Sequence, residues 1–245
     1  MPWWESWFGE DYLELYPHRG PDEARREVDF ALERLCPDPE PILDLCCGNG
    51  RHSVLFAERG FVPVGLDLSA SQLEVARTQT PPLPLVRGDM RALPFADGSF
   101  RSVVNFFTSF GYFVSEGDNF AVVAEIVRAL RPGGRFLCDT FGLAHVLSTL
   151  IPEESVQAGG REYRIRRNWN PDTRRIEKQI EVRRGGAAET ETFRESVRGY
   201  SGEELTEMFE RAGLAVDSMW GDFEGAPAGP DSPRLILLAH KPAHA

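Results

Sequence analysis

Three carboxylates follow three apolar runs in the first half of the chain, and each stands where a nucleotide-like ligand could reach it. Asp44 follows PIL, Asp67 follows VPVGL, and Asp89 stands within RGDMRALPF. Between the first two lies DLCCGNG, in which Gly48 and Gly50 open a turn from a strand into a helix. A carboxylate at the end of the second strand can accept hydrogen bonds from both ribose hydroxyls. The pattern predicts a nucleoside site at the carboxyl ends of neighbouring strands.

The glycine turn alone leaves the ligand open. A dinucleotide site has the pattern G-x-G-x-x-G, and here Ser53 stands at the third glycine position. Asp44 lies just before the turn, and a buried carboxylate facing a pyrophosphate would be repelled at short range. S-adenosylmethionine carries an ammonium, a sulfonium and a nucleoside but no phosphate, so the same carboxylate would attract it. The residues therefore favour a cationic nucleoside.

Two further groups complete the predicted site. Asp89 can accept from an adenine amino group while Met90 and Leu93 contact the ring. Aromatic residues cluster after the fourth strand, at the same edge of the predicted sheet: Phe106, Phe107, Phe110, Tyr112 and Phe113. Aromatic faces attract a cation by about 0.5–2 kcal/mol. We expect one of Phe106 and Phe107 to line the pocket and the other to pack inward.

Alternating strand and helix patterns position these residues. Strands are predicted at PILDL, VPVGLD, LPLVRGD, SVVNFFTSF and RFLCDTF, and helices at PDEARREVDFALERL, GRHSVLFAERG, SASQLEVARTQ and NFAVVAEIVRALRPGG. Ser69 and Gln72 form a predicted capping box, and Pro132 and Gly133 end the last of these helices. The alternation indicates right-handed crossovers and a mainly parallel sheet with helices on both faces.

The pattern changes after Ile151. EYRIRRNW, RRIEKQIEVRR and ETETFRESVRGY alternate with a period of two and are separated by NPDT and GGAA, which predicts a small antiparallel sheet. SGEELTEMFERAG returns to helix, and LAVDSMW and PRLILLAH predict two final strands at the sheet edge. We expect one cofactor-binding domain formed by residues 1–150 and 200–245, with residues 151–199 as an insert that covers the acceptor pocket.

Composition narrows the class of function. The 245 residues carry a formal net charge of −11, which disfavours a protein that binds nucleic acid by neutralising phosphates. The four cysteines show no metal-ligand spacing, so no metal site is expected. The start MPWWESWFGEDY has no signal-peptide pattern, and no apolar run approaches the length of a membrane span. We therefore expect a cytoplasmic protein without a membrane segment, either a monomer or a homodimer.

These motifs together resemble the class I S-adenosylmethionine-dependent methyltransferases, from about Pro41 to Phe141. DLCCGNG resembles the first motif of the family, with Cys46 where the first glycine is usual. GLDLSASQL resembles the ribose segment, GDMRALPFADGSF the adenine segment, and LRPGGRFL the fifth-strand signature. Cys46 and Cys47 are interpreted as small packing residues and not as nucleophiles.

The resemblance implies a Rossmann-like, doubly wound α/β fold whose seven-stranded, mainly parallel sheet has an antiparallel last strand. It implies S-adenosyl-L-methionine as cofactor, S-adenosyl-L-homocysteine as product, and a small soluble acceptor with an N or O nucleophile. It also implies that residues 1–20 include a lid, with Tyr12 and Tyr16, over the cofactor. The expected cofactor-binding residues are Tyr16, Asp44, Cys46, Gly48, Gly50, Asp67, Leu68, Asp89, Met90 and Phe106.

No catalytic base is evident, and His18, Tyr112 and His145 are the candidates. We interpret His52 as structural, and Trp3, Trp4 and Trp7 as packing residues. Two alternatives stay open: a nicotinamide-dependent oxidoreductase, against which Asp44 argues, and a protein that binds S-adenosylmethionine without transferring its methyl group.

Overall fold

The computed structural model describes residues 2–16, 21–35, 40–184 and 190–243. The helices are α1 (Trp3–Trp7), α2 (Glu10–Leu15), α3 (Pro21–Leu35), α4 (Arg51–Glu58), α5 (Ala70–Ala76), α6 (Glu116–Ala129), α7 (Leu143–Thr149) and α8 (Gly202–Ala212). The strands are β1 (Pro41–Leu45), β2 (Val62–Asp67), β3 (Leu85–Arg87), β4 (Phe100–Asn105), β5 (Leu130–Phe141), β6 (Glu153–Ala158), β7 (Arg161–Asn170), β8 (Arg175–Arg184), β9 (Thr190–Arg198), β10 (Ala215–Trp220) and β11 (Arg234–His240). Within these ranges, no helix is long and apolar enough to cross a membrane.

The larger sheet has seven strands in the order β10-β11-β5-β4-β1-β2-β3. Neighbouring strands are parallel along the series β3, β2, β1, β4 and β5. The last strand, β11, is antiparallel to both of its neighbours, β5 and β10. Strands β2 and β3 lie on one side of β1, whereas β4 and β5 lie on the other, so the order of the strands reverses between β1 and β4. A ligand crevice is expected at the carboxyl ends of the strands beside such a switch point. The predicted α/β fold with an antiparallel last strand is confirmed.

Helices cover both faces of this sheet. Apolar residues of α3 and α4, including Val28 and Phe56, pack with Ile42 and Val104 on one face. Residues of α6 and α8 pack with β5 on the other face, where Phe209 lies against Phe136 with ring centroids 5.3 Å apart. The buried runs of β1 and β4 face apolar side chains on both sides, as the sequence pattern of a doubly wound sheet predicts.

The second sheet is antiparallel, with the order β6-β7-β8-β9. Strands β7, β8 and β9 coincide with the predicted alternating segments, whereas β6 and α7 were not predicted. Strand β6 (EESVQA) is an edge strand with every second residue exposed and few apolar residues, so its sequence lacks a strong alternation. The predicted turn NPDT connects β7 to β8, and the predicted turn GGAA (185–188) lies outside the described residues.

Three local predictions need correction. Helix α6 ends at Ala129, before Pro132 and Gly133, because Leu130 already has extended dihedral angles. The Lys241 ammonium donates to the carbonyl oxygens of Val127 and Leu130 at this end. The capping box of α5 is half formed: Ser69 Oγ accepts from the Gln72 backbone N–H, but the Gln72 side chain donates elsewhere.

Strand β4 is also shorter than predicted and ends at Asn105. Phe107 and Thr108 have φ values of +60° and +62°, which turn the backbone out of the sheet. Left-handed conformations are costly for residues with a Cβ atom. The structure around these residues must therefore hold them in place.

Candidate active site

A cavity of about 240 Å³ opens at the carboxyl ends of the parallel strands. The predicted cofactor residues that line it are Tyr16, Cys46, Gly48, Asp67, Leu68, Asp89, Met90 and Phe106. The tertiary structure therefore brings together residues from the amino terminus and from the ends of β1, β2, β3 and β4. Asp44 and Gly50 are not part of the lining.

Asp67 is fixed by the backbone around the glycine turn. Its two carboxylate oxygens accept from the N–H groups of Gly48, at 2.9 Å, and Ser69, at 2.8 Å. Burial raises the pKa of this carboxyl, while the backbone hydrogen bonds oppose that shift. A carboxylate oxygen can accept more than one hydrogen bond, so Asp67 retains capacity toward ribose hydroxyls.

Asp89 lines the same cavity in the company of a cation. The Arg91 guanidinium donates to both carboxylate oxygens, with the shortest contact at 2.6 Å. Hydrogen bonding from Arg91 holds the pKa of Asp89 below its usual value, so the group is ionised. Asp89 can therefore act only as an acceptor toward an adenine amino group. Met90 is buried beside it, with its sulfur 3.6 Å from Cys46 Sγ.

The sequence suggested that Asp44 faces the ligand, and the structure places it outside the lining of the cavity. Its carboxylate accepts from Ser53 Oγ at 2.6 Å and is almost completely buried between β1 and α4. Burial raises the pKa of this carboxyl. Asp44 therefore anchors the start of α4, and a direct contact with the cofactor stays a prediction.

The glycine turn contains an unusual cysteine. Cys46 has φ of +60°, next to Gly48 and Gly50 at +55° and +77°. Glycine adopts this left-handed conformation without steric cost, which explains why glycine is usual at this position of the motif, where this sequence has Cys46. Gly50 lies behind the cavity wall, where an added Cβ would come within 2.9 Å of Leu83 and 3.2 Å of Ala76. Burial raises the pKa values of the Cys46 and Cys47 thiols, which fits packing roles better than nucleophilic ones.

His52 and Phe106 form a stacked pair in the wall of this cavity, with ring centroids 4.4 Å apart. Burial, and secondarily the charge of Arg51, lowers the pKa of His52 to about 3. His52 is therefore neutral, and its Nε2 is hydrogen-bonded to Glu27. This agrees with a structural role, although the ring also lines the cavity.

The amino-terminal helices close one side of the cavity. The carbonyl oxygen of Phe8 accepts from Ser69 Oγ, Ser71 Oγ and Gln72 Nε2, which connects α1 to the start of α5. Trp4, Phe8, Tyr12 and Tyr16 line the cavity. Sequence reasoning assigned Trp3 and Trp4 to packing, but Trp4 lines this cavity and Trp3 lines a second one. The density of aromatic residues in WWESWF was the available signal.

The second cavity has a volume of about 340 Å³ and lies between the large sheet and the inner face of the second sheet. It shares four aromatic side chains with the first cavity: Phe8, Tyr12, Phe107 and Tyr112. Phe106 is buried in the core and also lines the first cavity, whereas Phe107 lines both cavities, so the expected division between the two residues is found only in part. The left-handed turn at Phe107 explains this, because it breaks the alternation of a strand.

Arg175 attaches the second sheet to the loop that carries Tyr112. Its guanidinium donates to the carbonyl oxygens of Gly111, Tyr112 and Phe113 and to Ser196. Arg175 is only 4% exposed, so these carbonyl oxygens have little access to water as an alternative partner. No sequence signal distinguished this arginine from the many others in the insert.

The three candidate bases have different outcomes. His18 lies outside the described residues. His145, on α7, lines neither cavity, whereas Tyr112 lines both. Burial raises the pKa of Tyr112 well above its usual value, so its hydroxyl stays protonated near neutral pH. Tyr112 can therefore orient a substrate as a donor but cannot accept a proton as a base.

The residues present fit S-adenosylmethionine. Among the described residues that line the first cavity, the anionic side chains are Asp67 and Asp89, and the one cationic side chain is Arg51, which pairs with Glu27 at 3.3 Å. Such a cavity suits a cationic nucleoside better than a pyrophosphate. Asp67 and Asp89 would hold the nucleoside, with Leu68 and Met90 against its rings and the shared aromatic side chains beside the sulfonium. The fold and the cavity lining are therefore those expected of an α/β protein that binds a cationic nucleoside.

Comparisons with known proteins agree. A family model described as a methyltransferase domain matches residues 42–134. The "Putative methyltransferase YqeM" of Bacillus subtilis (strain 168) is 28% identical over 249 residues, which cover 96% of this chain and 96% of that protein. The CcbJ methyltransferase from Streptomyces caelestis has the same fold, with a TM-score of 0.81, 19% identity and coverage of 97% of this chain and 98% of that one.

A further solved structure is S-adenosylmethionine-bound CalS10, an amino pentose methyltransferase from Micromonospora echinaspora. It is 26% identical, has a TM-score of 0.66, and the match covers 95% of this chain and 97% of that one. Residues 42–134 are thus similar to a methyltransferase domain, and the chain has the fold of solved methyltransferases. Several of these solved structures are S-adenosylmethionine-dependent methyltransferases, and some contain bound S-adenosylmethionine.

Proposed function

We propose that this enzyme transfers the methyl group to a nitrogen or oxygen nucleophile of a small soluble acceptor held in the second cavity. The observation that carries the proposal is the shared wall of the two cavities. Phe8, Tyr12, Phe107 and Tyr112 line both, so a cofactor in the first cavity and an acceptor in the second would meet between these rings. The reaction would be a direct displacement.

The bound cofactor supplies a methyl group activated by a sulfonium. The four rings exclude water from the place where the two cavities meet, and their faces attract positive charge by about 0.5–2 kcal/mol. Rings from α1, α2 and the loop after β4 also restrict the direction from which an acceptor can enter. The residues therefore contribute alignment and desolvation.

An amine acceptor is favoured over a hydroxyl. The Tyr112 hydroxyl stays protonated and cannot serve as a base. A neutral amine attacks through its own lone pair and needs no base in that step, whereas an alcohol is a weak nucleophile without one. The name of CalS10 as an amino pentose methyltransferase points in the same direction.

The division of the chain is part of this proposal. Residues 1–150 and 200–245 would bind the cofactor, residues 151–199 would cover the acceptor, and the segment before residue 21 would act as a lid. Asp11 supports the lid, since it accepts from Arg161 and Arg184 of the second sheet at 3.0 Å each. Tyr16 lines the first cavity, and its hydroxyl accepts from Lys178 at 3.4 Å.

The location of the enzyme in the cytoplasm is also part of the proposal. The free thiols of Cys46, Cys47 and Cys138 are consistent with a reducing compartment.

The test is a screen of cell extract and of small amines and alcohols with labelled S-adenosylmethionine. Formation of S-adenosylhomocysteine is measured, and the methylated product is identified by mass spectrometry. We expect labelled amines and turnover that depends on the enzyme. Methylation of proteins or nucleic acids alone would contradict the proposal, and stabilisation by NADH without stabilisation by S-adenosylhomocysteine would contradict the cofactor assignment.

A further inference from the structure

The inner face of the second sheet is apolar at one end and charged at the other. Toward α1 and α2, Tyr163, Ile165, Ile180, Val182 and Phe193 form a buried cluster with Trp7 and Leu15. Two residues further along β7, β8 and β9, the charged residues Arg167, Lys178 and Glu195 replace the apolar ones on the same face. Together with Glu154 of β6 they line the second cavity. Charged groups beside an apolar cluster are costly to desolvate, so their arrangement needs a physical explanation.

The strand register places three of these charges in a row. Arg167 on β7 is directly opposite Lys178 on β8, and Lys178 is directly opposite Glu195 on β9. Glu154 on β6 lies diagonally from Arg167 and forms an ion pair with it. The order across the sheet is therefore negative, positive, positive, negative. Two cations directly opposite each other are destabilising, and an alternating order would avoid this.

Among the described residues, each cation forms an ion pair only with the glutamate on the side away from the other cation, Arg167 with Glu154 and Lys178 with Glu195. Lys178 Nζ lies 2.7 Å from Glu195 Oε2, and the other oxygen of Glu195 accepts from the Trp7 indole N–H. Burial and the charge of Arg167 oppose the protonation of Lys178, but Glu195 raises its pKa, so the ammonium is charged. The side chains of Arg167 and Lys178 are 16% and 23% exposed, so both retain access to the cavity.

The remaining hydrogen-bonding capacity of this pair consists of donors. Lys178 has three N–H groups, and the described contacts of its Nζ are Glu195 and the Tyr16 hydroxyl at 3.4 Å. Arg167 has five N–H groups, and its described partners are Glu154 and, at 3.4 Å, the carbonyl oxygen of Ile151. A ligand that enters between them meets two positive charges and several donors, which is the chemistry of an anion site.

We propose that Arg167 and Lys178 together bind an anionic oxygen group, a carboxylate or a phosphate, of the methyl acceptor. The acceptors are then small molecules that carry such a group in addition to the nucleophile. The inference rests on the proposed function in one respect, namely that the second cavity holds the acceptor. Both cations line the second cavity and neither lines the first, so the group they bind belongs to the acceptor and not to the cofactor.

The first test measures binding without turnover. Inorganic phosphate and, separately, acetate are titrated into the enzyme saturated with S-adenosylhomocysteine, at constant ionic strength, and binding is followed by calorimetry or by the change in Tm. We expect at least one of the two anions to bind with a stoichiometry of one, and the stronger of the two identifies the kind of anion. Absence of saturable binding by both anions would overturn the proposal.

The variants Arg167→Gln and Lys178→Gln should weaken anion binding by about tenfold or more each, as expected for the loss of a charged hydrogen-bond donor. Arg164→Gln is the matched control, because Arg164 is on the same strand, exposed on the opposite face, and also paired with a glutamate. It should leave anion binding unchanged. Equal loss of binding in the control and in the two variants would contradict a specific site.

Removal of one cation leaves a carboxylate without its partner, so folding requires its own control. The double variants Arg167→Gln/Glu154→Gln and Lys178→Gln/Glu195→Gln replace whole ion pairs by neutral amides of similar size. Both should keep the far-UV spectrum and the cooperative thermal transition of wild type and still lose anion binding about tenfold. Retained anion binding in both folded double variants would overturn the assignment.

A turnover experiment separates this inference from the proposed function. Acceptors found in the screen are paired with analogues in which the carboxylate or phosphate is replaced by an amide or a hydroxyl. The anionic member should have a kcat/KM at least about tenfold higher, and Arg167→Gln should remove that preference. If no acceptor is methylated but phosphate or acetate still binds at Arg167 and Lys178, the proposed function fails and the anion site stands. If neutral acceptors are methylated as well as anionic ones, the proposed function stands and the inference fails.

Discussion

The backbone N–H of Phe107 donates to Asp139 Oδ2 over 2.7 Å, and this bond joins the end of β4 to the end of β5. Thr108 N–H donates to the carbonyl oxygen of the same aspartate at 2.9 Å. Asp139 thereby holds two consecutive left-handed residues in place. Arg234 of β11 completes the arrangement, with its guanidinium 2.6 Å from Asp139 Oδ2. The position of Phe107 in the wall of both cavities therefore depends on its hydrogen bond to Asp139 of β5 and on the ion pair between Asp139 and Arg234 of β11.

Replacement of Asp139 by asparagine should be strongly destabilising. Asp139 is fully buried, and the change leaves the Arg234 guanidinium without a counter-charge. We expect the free energy of unfolding to fall by about 3 kcal/mol, measured by urea denaturation. Asp217→Asn, which removes a partly exposed carboxylate paired with His240, should cost no more than about 1 kcal/mol. Similar losses for the two variants would show that Asp139 has no special role.

Arg175→Met should affect acceptor binding more than cofactor binding. The change removes the donor for the carbonyl oxygens of Gly111, Tyr112 and Phe113, and a buried acceptor left without a partner costs about 1–3 kcal/mol. Because this loop carries Tyr112 into both cavities, we expect a higher KM for the acceptor and a Kd for S-adenosylhomocysteine within a few-fold of wild type. Arg174→Met is the control, since Arg174 is adjacent, more exposed and paired with Glu204. A raised Kd for the cofactor product with an unchanged acceptor KM would contradict this role.

Asp67→Ala should weaken binding of S-adenosylhomocysteine by about 1–3 kcal/mol, as expected for loss of a charged acceptor. The variant also removes the hydrogen bonds that Asp67 accepts from the Gly48 and Ser69 N–H groups, so Tm should fall as well. Asp67→Asn keeps one acceptor oxygen and should have an intermediate affinity. Calorimetry measures the Kd, with Asp172→Ala in an exposed turn as control. An unchanged Kd for Asp67→Ala would exclude the predicted contact with the ribose.

His52 should make the enzyme sensitive to acid. Its pKa is about 3 in the folded protein, lowered first by burial and then by Arg51, whereas an unfolded histidine has a pKa of about 6.5. Between these values the unfolded chain binds a proton that the folded protein does not. The stability contributed by neutral His52 is therefore complete above the unfolded pKa and is lost as pH falls through this window.

The measurement compares wild type with His52→Gln, which keeps a donor toward Glu27. Denaturation at several pH values should show the stability advantage of wild type shrinking by about 1.4 kcal/mol per pH unit below pH ~6.5. Comparison with the variant cancels the contributions of the buried carboxyls, whose raised pKa values act in the opposite direction. The variant His240→Gln, which changes a partly exposed histidine, serves as control. A constant difference between wild type and His52→Gln across this range would show that His52 does not titrate as described.

The sequence by itself determined the fold class, and eight of the ten residues that it predicted to bind the cofactor line the first cavity. Strand and helix periods are local properties, and the carboxyl ends of parallel strands meet at one edge of a sheet. Asp67, Asp89 and the glycine turn could therefore be placed beside one another without coordinates. The period-two segments likewise predicted the second sheet from three of its four strands.

Only the tertiary structure decided the direction of individual side chains and the contacts between distant segments. Asp44 is hydrogen-bonded to Ser53 and is not part of the cavity lining, a placement that its sequence position at the end of a strand does not reveal. Trp4 lines the first cavity because the Phe8 carbonyl oxygen attaches α1 to α5. The acceptor is a backbone atom that every residue has, so the sequence does not mark this contact. Arg167 and Lys178 meet because of the register between β7 and β8, and a shift of one residue would turn either of them to the other face.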